Sequence, residues 1–439
     1  MAAGVGRKAH PGSMRCRVAA MPRLRLGSSI WFEGGPPPEI PSPPRLETHL
    51  SADVVIVGGG LTGAVVAYEC LSRGLSVVAL EAGRLAGGST SANTGLLAYE
   101  PDELFSGLSA RYGAEAAVRV WHRSQEAAAA FAGLLGRLHV ACGLARRASI
   151  YACTTRASER RLRDDHRLRH EHGLRGRWLD AATLWDRTGM RGRGAIETRG
   201  HAQLDPYRAC LGLWTAAMRG GARVYAESRA TRVDTASRTV RVHTAHGSVR
   251  ARRVVIATGY ATPEFRPLAG GFTLTHTYAL STGPLPPAAR SQVGIPDVLV
   301  WSAERPYHYL RWGPGHRLIV GGADRPLVPE SQRGAAFVRG RRRLAREVRA
   351  LVPGLRGIAF ERAWEGLFAV TPDGLPYIGP HPRYPHHLFA LGYGGNGMVY
   401  AWLAARLLTG CFTGTPDPDL ALFSFDRLQH HNRGRRRRV

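Results

Sequence analysis

The chain has 439 residues, 44% of them hydrophobic, with 60 Lys plus Arg against 33 Asp plus Glu and a formal net charge of +27. That length is too great for one small domain and suits two domains with sizeable cores. No stretch reaches ~20 uninterrupted apolar residues, which argues against a membrane-spanning helix.

The charge resembles that of nucleic-acid-binding proteins, but Lys8 is the only lysine. Arginine with an excess of Ala and Gly reads as GC-rich coding spread over a surface. The clusters at 156–177, 339–349 and 433–438 therefore leave a polyanionic partner, nucleic acid included, as the weaker reading. Cys16, Cys70, Cys142, Cys153, Cys210 and Cys411 lack C-x-x-C spacing. This points to a reducing, cytoplasmic setting and away from a zinc site or disulfide framework. The histidine pairs at 386–387 and 430–431 have no partners at metal-ligand spacing, so no metal is expected. The first thirty residues are Arg-rich without an apolar h-region, so no secretory signal is expected, and Met14 or Met21 are alternative starts.

Residues 1–50 end in PPPEIPSPP and read as an extended lead-in without a core of its own. A βαβ unit follows. Residues 54–57 form a short β-branched apolar run, and Gly58, Gly60 and Gly63 follow at G-x-G-x-x-G spacing. A helix then begins at Leu61 and Thr62 and is stopped by Gly74, and a second strand over 76–80 leads to Glu81 and Ala82. The glycines allow a tight turn, close approach of a pyrophosphate, and close helix–strand packing. The helix start offers free N–H groups and a positive dipole end. Glu81 is placed to accept hydrogen bonds from a ribose diol and to repel a 2′-phosphate, so FAD or NAD is expected over NADP. The small polar loop 87–95, with Ser89, Thr90, Asn93 and Thr94, can lay hydroxyls and amides along that cofactor.

Residues 114–138 read as an alanine-rich helix and 140–200 as a charged helical insertion. Asp205-Pro206 opens another helix as N-cap and N1, ending at Gly220-Gly221. Short strands are expected near 223–225 and 229–233, and a hairpin turns at His246-Gly247. The apolar strand 254–258 ends in Gly259. Residues 263–357 alternate and are rich in aromatics, which suggests an antiparallel sheet covered by the Arg-rich helix 332–351.

The last third carries a second informative block. GLFAVTPDGLPYIG over 366–379 precedes a strand at 387–391, a glycine cluster at Gly392, Gly394, Gly395 and Gly397, and a helix from Met398. Strand, glycine turn and helix again make a site for an anion or a cofactor edge.

Together these blocks resemble the FAD-dependent D-amino-acid oxidase superfamily, which includes glycine, sarcosine and γ-glutamylputrescine oxidases, over roughly residues 29–411. The resemblance implies an α/β fold: a Rossmann-like FAD-binding domain of the GR2 type, with a discontinuous antiparallel-sheet substrate domain. The FAD-binding domain would take 51–98, 200–262 and 358–411, the substrate domain 99–199 and 263–357, leaving 412–439 as an Arg-rich tail. Gly58, Gly60, Leu61, Thr62, Gly63, Glu81 and Ala82 would hold the ADP half of FAD. Ser89, Thr90, Asn93 and Thr94 would line its phosphate and ring side, Val233 would meet adenine, and Gly259 would flank it. Gly394, Gly395, Gly397 and Met398 would face the isoalloxazine edge.

The implied activity is oxidation of the C–N bond of a small amine or amino acid to an imine, by hydride transfer to flavin N5. Phe368 stands where the amino-acid oxidases place a carboxylate-clamping arginine. Tyr307 and Arg311, in YHYLRW, are the residues the resemblance offers as catalytic replacements, with Tyr99, His276 and Tyr278 behind them. No cysteine adjoins the motif, so FAD is expected to be noncovalent. With Lys8 as the only lysine, the oxygen-activating role that the sarcosine-type oxidases give a lysine at the flavin must fall to Arg or His or be missing, and a dehydrogenase becomes a serious option. An NAD-dependent dehydrogenase and an inactive or tRNA-binding flavoprotein are the alternatives.

Overall fold

A computed structural model describes residues 25–33, 42–260 and 262–428. Lys8, Cys16, both alternative start methionines, His430, His431 and the arginine run at 433–438 lie outside the described residues.

The first sheet has eight strands. Its central path runs Tyr377–His381, Tyr384–Leu391, Ser248–Gly259, His49–Val57, Val77–Leu80 and Arg223–Tyr225. All these neighbours are parallel except the first pair, and Arg232–Thr235 and Val240–His243 add an antiparallel flap on Ser248–Gly259. Being covered on both faces, the central strands read as continuous apolar runs rather than alternating ones. Val54 and Ile56 enter one core with helices Leu61–Leu71, Pro206–Arg219 and Gly397–Thr413. Val55 faces the flap with Val240 and Val242. The Asp205 side chain caps its helix at the Arg208 amide, 3.0 Å, with Pro206 at N1 as expected.

The second sheet has ten strands, ordered Arg25–Gly27, Phe360–Val370, Thr273–Thr282, Leu318–Pro326, His308–Trp312, Leu299–Ser302, Ala145–Cys153, Gly194–Gln203 and Leu96–Leu97, with Arg177–Asp180 beside Gly194–Gln203. Its pairs are antiparallel apart from Leu299–Ser302 on Ala145–Cys153. The helix Glu330–Leu351 covers one face with Leu344 and Val348.

Four expectations change here. The segment 140–200 is not a purely helical insertion, since three strands that begin in it join the second sheet around two helices. The charges of ARRASIYAC conceal the buried run from Ser149 to Cys153 that commits it to a strand. Phe360–Val370, assigned by sequence to the FAD-binding part, pairs along its length with Thr273–Thr282. Nor is the lead-in without a core: Ile30 and Trp31 are buried, and Arg25–Gly27 adds an edge strand. Beyond residue 411, the 3-10 helix Pro418–Phe423 packs back with Phe423 fully buried, so 412–428 is part of the fold.

Candidate functional site

Parallel register sets the ends of three strands side by side. Val57 stands opposite Ile256, and Gly259 opposite Leu391, at the carboxyl edge of the first sheet. At ~4.8 Å between strands, the turns at Gly58 and Gly392 therefore leave the sheet roughly 10 Å apart. The Gly392 amide donates to the Gly259 carbonyl at 2.9 Å, tying the second turn to the middle strand. An open cleft of 1540 Å³ lies over this edge, lined by Gly58, Gly60, Leu61, Thr62, Glu81 and Ala82 and, at its other end, by Gly394, Gly395, Gly397 and Met398. It exceeds the usual ~300–1,000 Å³ of a small-ligand pocket, enough for a dinucleotide with substrate beside it.

The first turn's glycines divide into two kinds. A Cβ at Gly63 would sit 2.0 Å from the Gly58 carbonyl, and one at Gly58 would sit 2.5 Å from that of Ala257, with φ at +123° besides. Those two are required by the chain itself. A Cβ at Gly60 would meet only Thr90 Oγ1, at 3.2 Å, and would project into the cleft. Gly60 is thus the position where a ligand's approach sets the residue. It is the N-cap of Leu61–Leu71 and supplies no side chain to the first-turn amides, of which Leu61 donates to the Thr90 hydroxyl at 3.1 Å. This uncapped start with its positive dipole fits a pyrophosphate.

From below, Trp214 Nε1 donates to the Gly59 carbonyl at 2.9 Å and fixes the turn. The Glu81 carboxylate accepts from the amides of Gly59 and Gly83, at 2.7 and 2.8 Å, and so is held in place with lone pairs to spare for a diol. Val233 lines the same end beside Arg229 and Arg232. Ser89, Thr90, Asn93 and Thr94 continue the wall, the Ser89 hydroxyl donating to Leu367 O at 2.9 Å and tying this segment to the second sheet.

At the far end, Asn396 precedes the helix Gly397–Thr413 but does not cap it with its side chain. Its amide nitrogen donates instead to the Glu100 carbonyl at 2.7 Å. The first-turn N–H groups and the dipole thus remain for negative charge in the cleft. Asp102 accepts from the Gly395 amide at 2.6 Å, and Tyr307 donates to the Asp102 carbonyl at 2.9 Å. Burial pushes the Asp102 carboxyl up to about 6 and the Tyr307 phenol above its ordinary value.

The second sheet covers the cleft with alternate residues of its strands. Thr273, Thr275 and Thr277 come from one, Gly366, Phe368 and Val370 from another, and Tyr309 and Asp324 from two more. Among the described residues no cysteine lines the cleft and no group of three or more potential metal ligands occurs.

Tyr307 lines the cleft, as do the residues named for the cofactor except Gly63, which packs behind the turn against the Gly58 carbonyl. Arg311 does not, which corrects its assignment as a catalytic residue. It is buried, and donates to the carbonyls of Thr94 at 2.7 Å, Trp312 at 3.0 Å and Leu204 at 2.8 Å. It shares the strand face of Tyr309 but lies further along it, covered by the Thr94–Gly95 segment whose carbonyl it holds, and so supports the wall instead of lining it. The weaker candidates fall too: Tyr99 stacks on His201, His276 sits against Glu365, and Tyr278 packs under the covering helix.

Sequence reasoning missed Trp31, whose Nε1 donates to Asn93 O at 2.7 Å, together with Asp102, Tyr309 and Asp324. It also missed a buried polar group at the cleft wall. Arg169 bridges Glu100 and Asp165 at 2.9 and 2.7 Å, while the neighbouring His201 is lowered by burial to about 4 and is neutral at pH 7. A polar residue alternating with apolar ones within a sheet strand would have flagged Asp324. For Glu100 and Arg169, which meet only in the fold, the chain carries no local signal.

Comparison with known proteins agrees with this geometry. The pattern of the FAD-dependent oxidoreductase (DAO) family matches residues 53–410. Glycine oxidase of Geobacillus kaustophilus is 25% identical over 388 residues, covering 85% of this chain and 97% of that enzyme. Gamma-glutamylputrescine oxidoreductase of Escherichia coli is 24% identical over 391 residues, 88% of each chain. Among solved structures, G. kaustophilus glycine oxidase superposes with a TM-score of 0.71 at 24% identity over 85% of this chain and 98% of its own, and P. horikoshii L-proline dehydrogenase with 0.70 at 18% over 87% and 98%. With two glycine turns opening on one dinucleotide-sized cleft and a family match spanning most of its length, this chain belongs to the DAO family of FAD-dependent oxidoreductases.

Proposed function

We propose that the chain oxidises the C–N bond of a small amine or amino acid to an imine, holding FAD noncovalently. One observation carries this reading: Gly60 and Met398, far apart in sequence, line the two ends of a single cleft whose remaining wall is a sheet of Thr, Tyr, Phe and Asp side chains. Bound there, FAD supplies the hydride acceptor.

The chain's own groups bind, orient and dry the site. The uncapped start of Leu61–Leu71 takes the pyrophosphate, and Glu81 takes the ribose hydroxyls. The first turn of Gly397–Thr413 offers amides and a dipole end where negative charge develops. Tyr307 and Tyr309, with Thr277, present hydroxyls to a substrate nitrogen or oxygen, and Phe368 gives an apolar face that excludes water. C–N oxidation of this kind asks for a neutral amine held in line more than for a strong base, which is why the cleft needs no His/Asp dyad. Similarity to glycine oxidase, gamma-glutamylputrescine oxidoreductase and L-proline dehydrogenase supports the same bond type.

The test is anaerobic loss of the flavin band near ~450 nm on adding amines and amino acids, followed by readmission of air. Bleaching by a member of the panel is the expected outcome, and recovery in air separates oxidase from dehydrogenase. A protein bleached by dithionite but by no amine or amino acid would overturn the reading.

A further inference from the structure

The sheet face above the cleft carries one carboxylate among uncharged groups. Along Phe360–Val370, the cleft side is Gly366, Phe368 and Val370. The next strand contributes Thr275 and Thr277, and the third Asp324 and Pro326. Phe368 faces Thr275, which faces Pro326, so Asp324 stands two residues along the third strand from that row and two strands away, on the order of 10 Å. Its Oδ1 is sealed from solvent without a hydrogen-bond partner, the Thr277 hydroxyl being the one side chain whose hydrogen bonding favours the carboxylate, although the residue lines the cleft. A carboxylate oxygen short of partners inside a ligand cleft calls for a donor.

The other charges at the cleft are mostly engaged. Glu81 accepts two backbone amides, Asp102 accepts the Gly395 amide, and Glu100 holds Arg169. Arg325, adjacent to Asp324, interacts with Tyr278 under the covering helix. Arg305 lies over the Tyr307 ring at 4.5 Å; its field reaches both Asp102 and Asp324, but no ion pair within 4.0 Å is formed with either. Phe368, part-exposed in the same cleft, offers a ring face that suits a cation and rejects a carboxylate.

We propose that Asp324 receives a positively charged group at the far end of the substrate, so that C–N oxidation is directed to amines carrying a second cationic nitrogen, such as aliphatic diamines, rather than to α-amino acids. This rests on the amine-oxidation reading above. Asp324 is thereby a specificity-determining residue: it does not touch the reacting carbon but fixes which amine is held in line with it. Pairing the two charges is favourable because the partner arrives in a poorly hydrated cleft, where leaving either charge alone is costly.

The experiment is anaerobic titration of the FAD-loaded enzyme with 1,4-diaminobutane, butylamine and glycine, read as the concentration that half-bleaches the flavin. The diamine should act at a roughly tenfold lower concentration than butylamine, the scale of one charge pair in a partly desolvated site. Asp324→Asn, still yellow, should bring the two to within about threefold, and Asp324→Glu should restore part of the preference. A wild-type enzyme that prefers butylamine or glycine overturns the proposal and leaves C–N oxidation standing. An unchanged diamine-to-butylamine ratio in Asp324→Asn overturns it as well. Bleaching by none of the three, with dithionite effective, sinks the proposal and tells against amine oxidation itself.

Discussion

Arg427 grips both oxygens of Asp373: Nε donates to Oδ2 at 2.7 Å and Nη2 to Oδ1 at 2.9 Å, with Nη2 also reaching the Leu375 carbonyl at 2.6 Å. Both side chains are buried, and the Tyr112 hydroxyl contacts the same carboxylate. Burial works against the charged form of Asp373, but the bonds and charge of Arg427 outweigh it and hold the carboxyl below its usual range. Asp373 belongs to the T-P-D-G turn, whose Thr371, Pro372 and Gly374 line the cleft. The segment after residue 411 is therefore a strap that clamps a wall of the flavin site from the far side.

Arg427→Met should leave that carboxylate buried and unpaired, at about 3–5 kcal/mol of stability. Asp373→Leu combined with Arg427→Met should recover part of the loss, because no charge is then stranded. The pair's contribution is present above the ordinary carboxylate pKa and is lost as pH falls through the depressed folded value. Thermal melts of the single and double variants between neutral and acid pH check this, and equal melting temperatures for wild type and Arg427→Met would contradict it.

Gly60→Val and Gly63→Val should part company. At Gly63 the new Cβ collides with a backbone carbonyl, so the strand–helix packing fails and the protein loses cooperative unfolding. At Gly60 the protein has room and only the ligand's place is filled. The apo-protein should then keep its circular dichroism and melting transition while losing FAD. A yellow Gly60→Val protein would contradict the phosphate-turn assignment.

The turn at Gly58–Gly63 was legible because each requirement there is local: three glycines, an apolar strand before and an acid after. The second turn was legible for the same reason, as four glycines in six residues are difficult to explain otherwise. Arg311 was misread because sequence shows that a strand face carries a cation but not that the Thr94 and Leu204 segments cover that stretch of the face and offer it their carbonyls. Ala145–Cys153 was misread because arginines at its start mimic a solvated helix, while the neighbours that make it a strand, Leu299–Ser302 and Gly194–Gln203, are distant in sequence. Trp31 escaped notice because a Pro-rich lead-in carries no periodicity; its place depends on Asn93 O.

Arg311→Met should lower stability without altering how substrate concentration governs rate. Its three carbonyl partners would lose their donors, at about 1–3 kcal/mol for each left unsatisfied. If Arg311 instead bound substrate, the substitution would raise KM at constant melting temperature. Steady-state kinetics beside a melt of the FAD-loaded variant separates the two.

Acidification should weaken substrate selection by Asp324. Burial raises Asp324 and Asp102 from the ordinary carboxylate value to about 6 each. Facing them are Arg305, which favours the charged forms of both, Glu103, which disfavours that of Asp102, and Asp102 and the Thr277 hydroxyl, which respectively disfavour and favour that of Asp324. As pH falls through 6 the folded protein takes up these protons, whereas the unfolded chain waits until about 4, so these two carboxyls add stability over that window, opposed by His201, whose lowered value costs stability there. A cationic group bound by Asp324 loses its partner over the same window. Diamine and monoamine lose their reactive neutral form alike, so the ratio of their half-bleaching concentrations isolates the carboxylate. That ratio should shrink several-fold between about pH 7.5 and about pH 5, and Asp324→Asn should flatten its pH dependence. A ratio constant across the range in the wild type would mean that no carboxylate titrating near 6 meets the substrate.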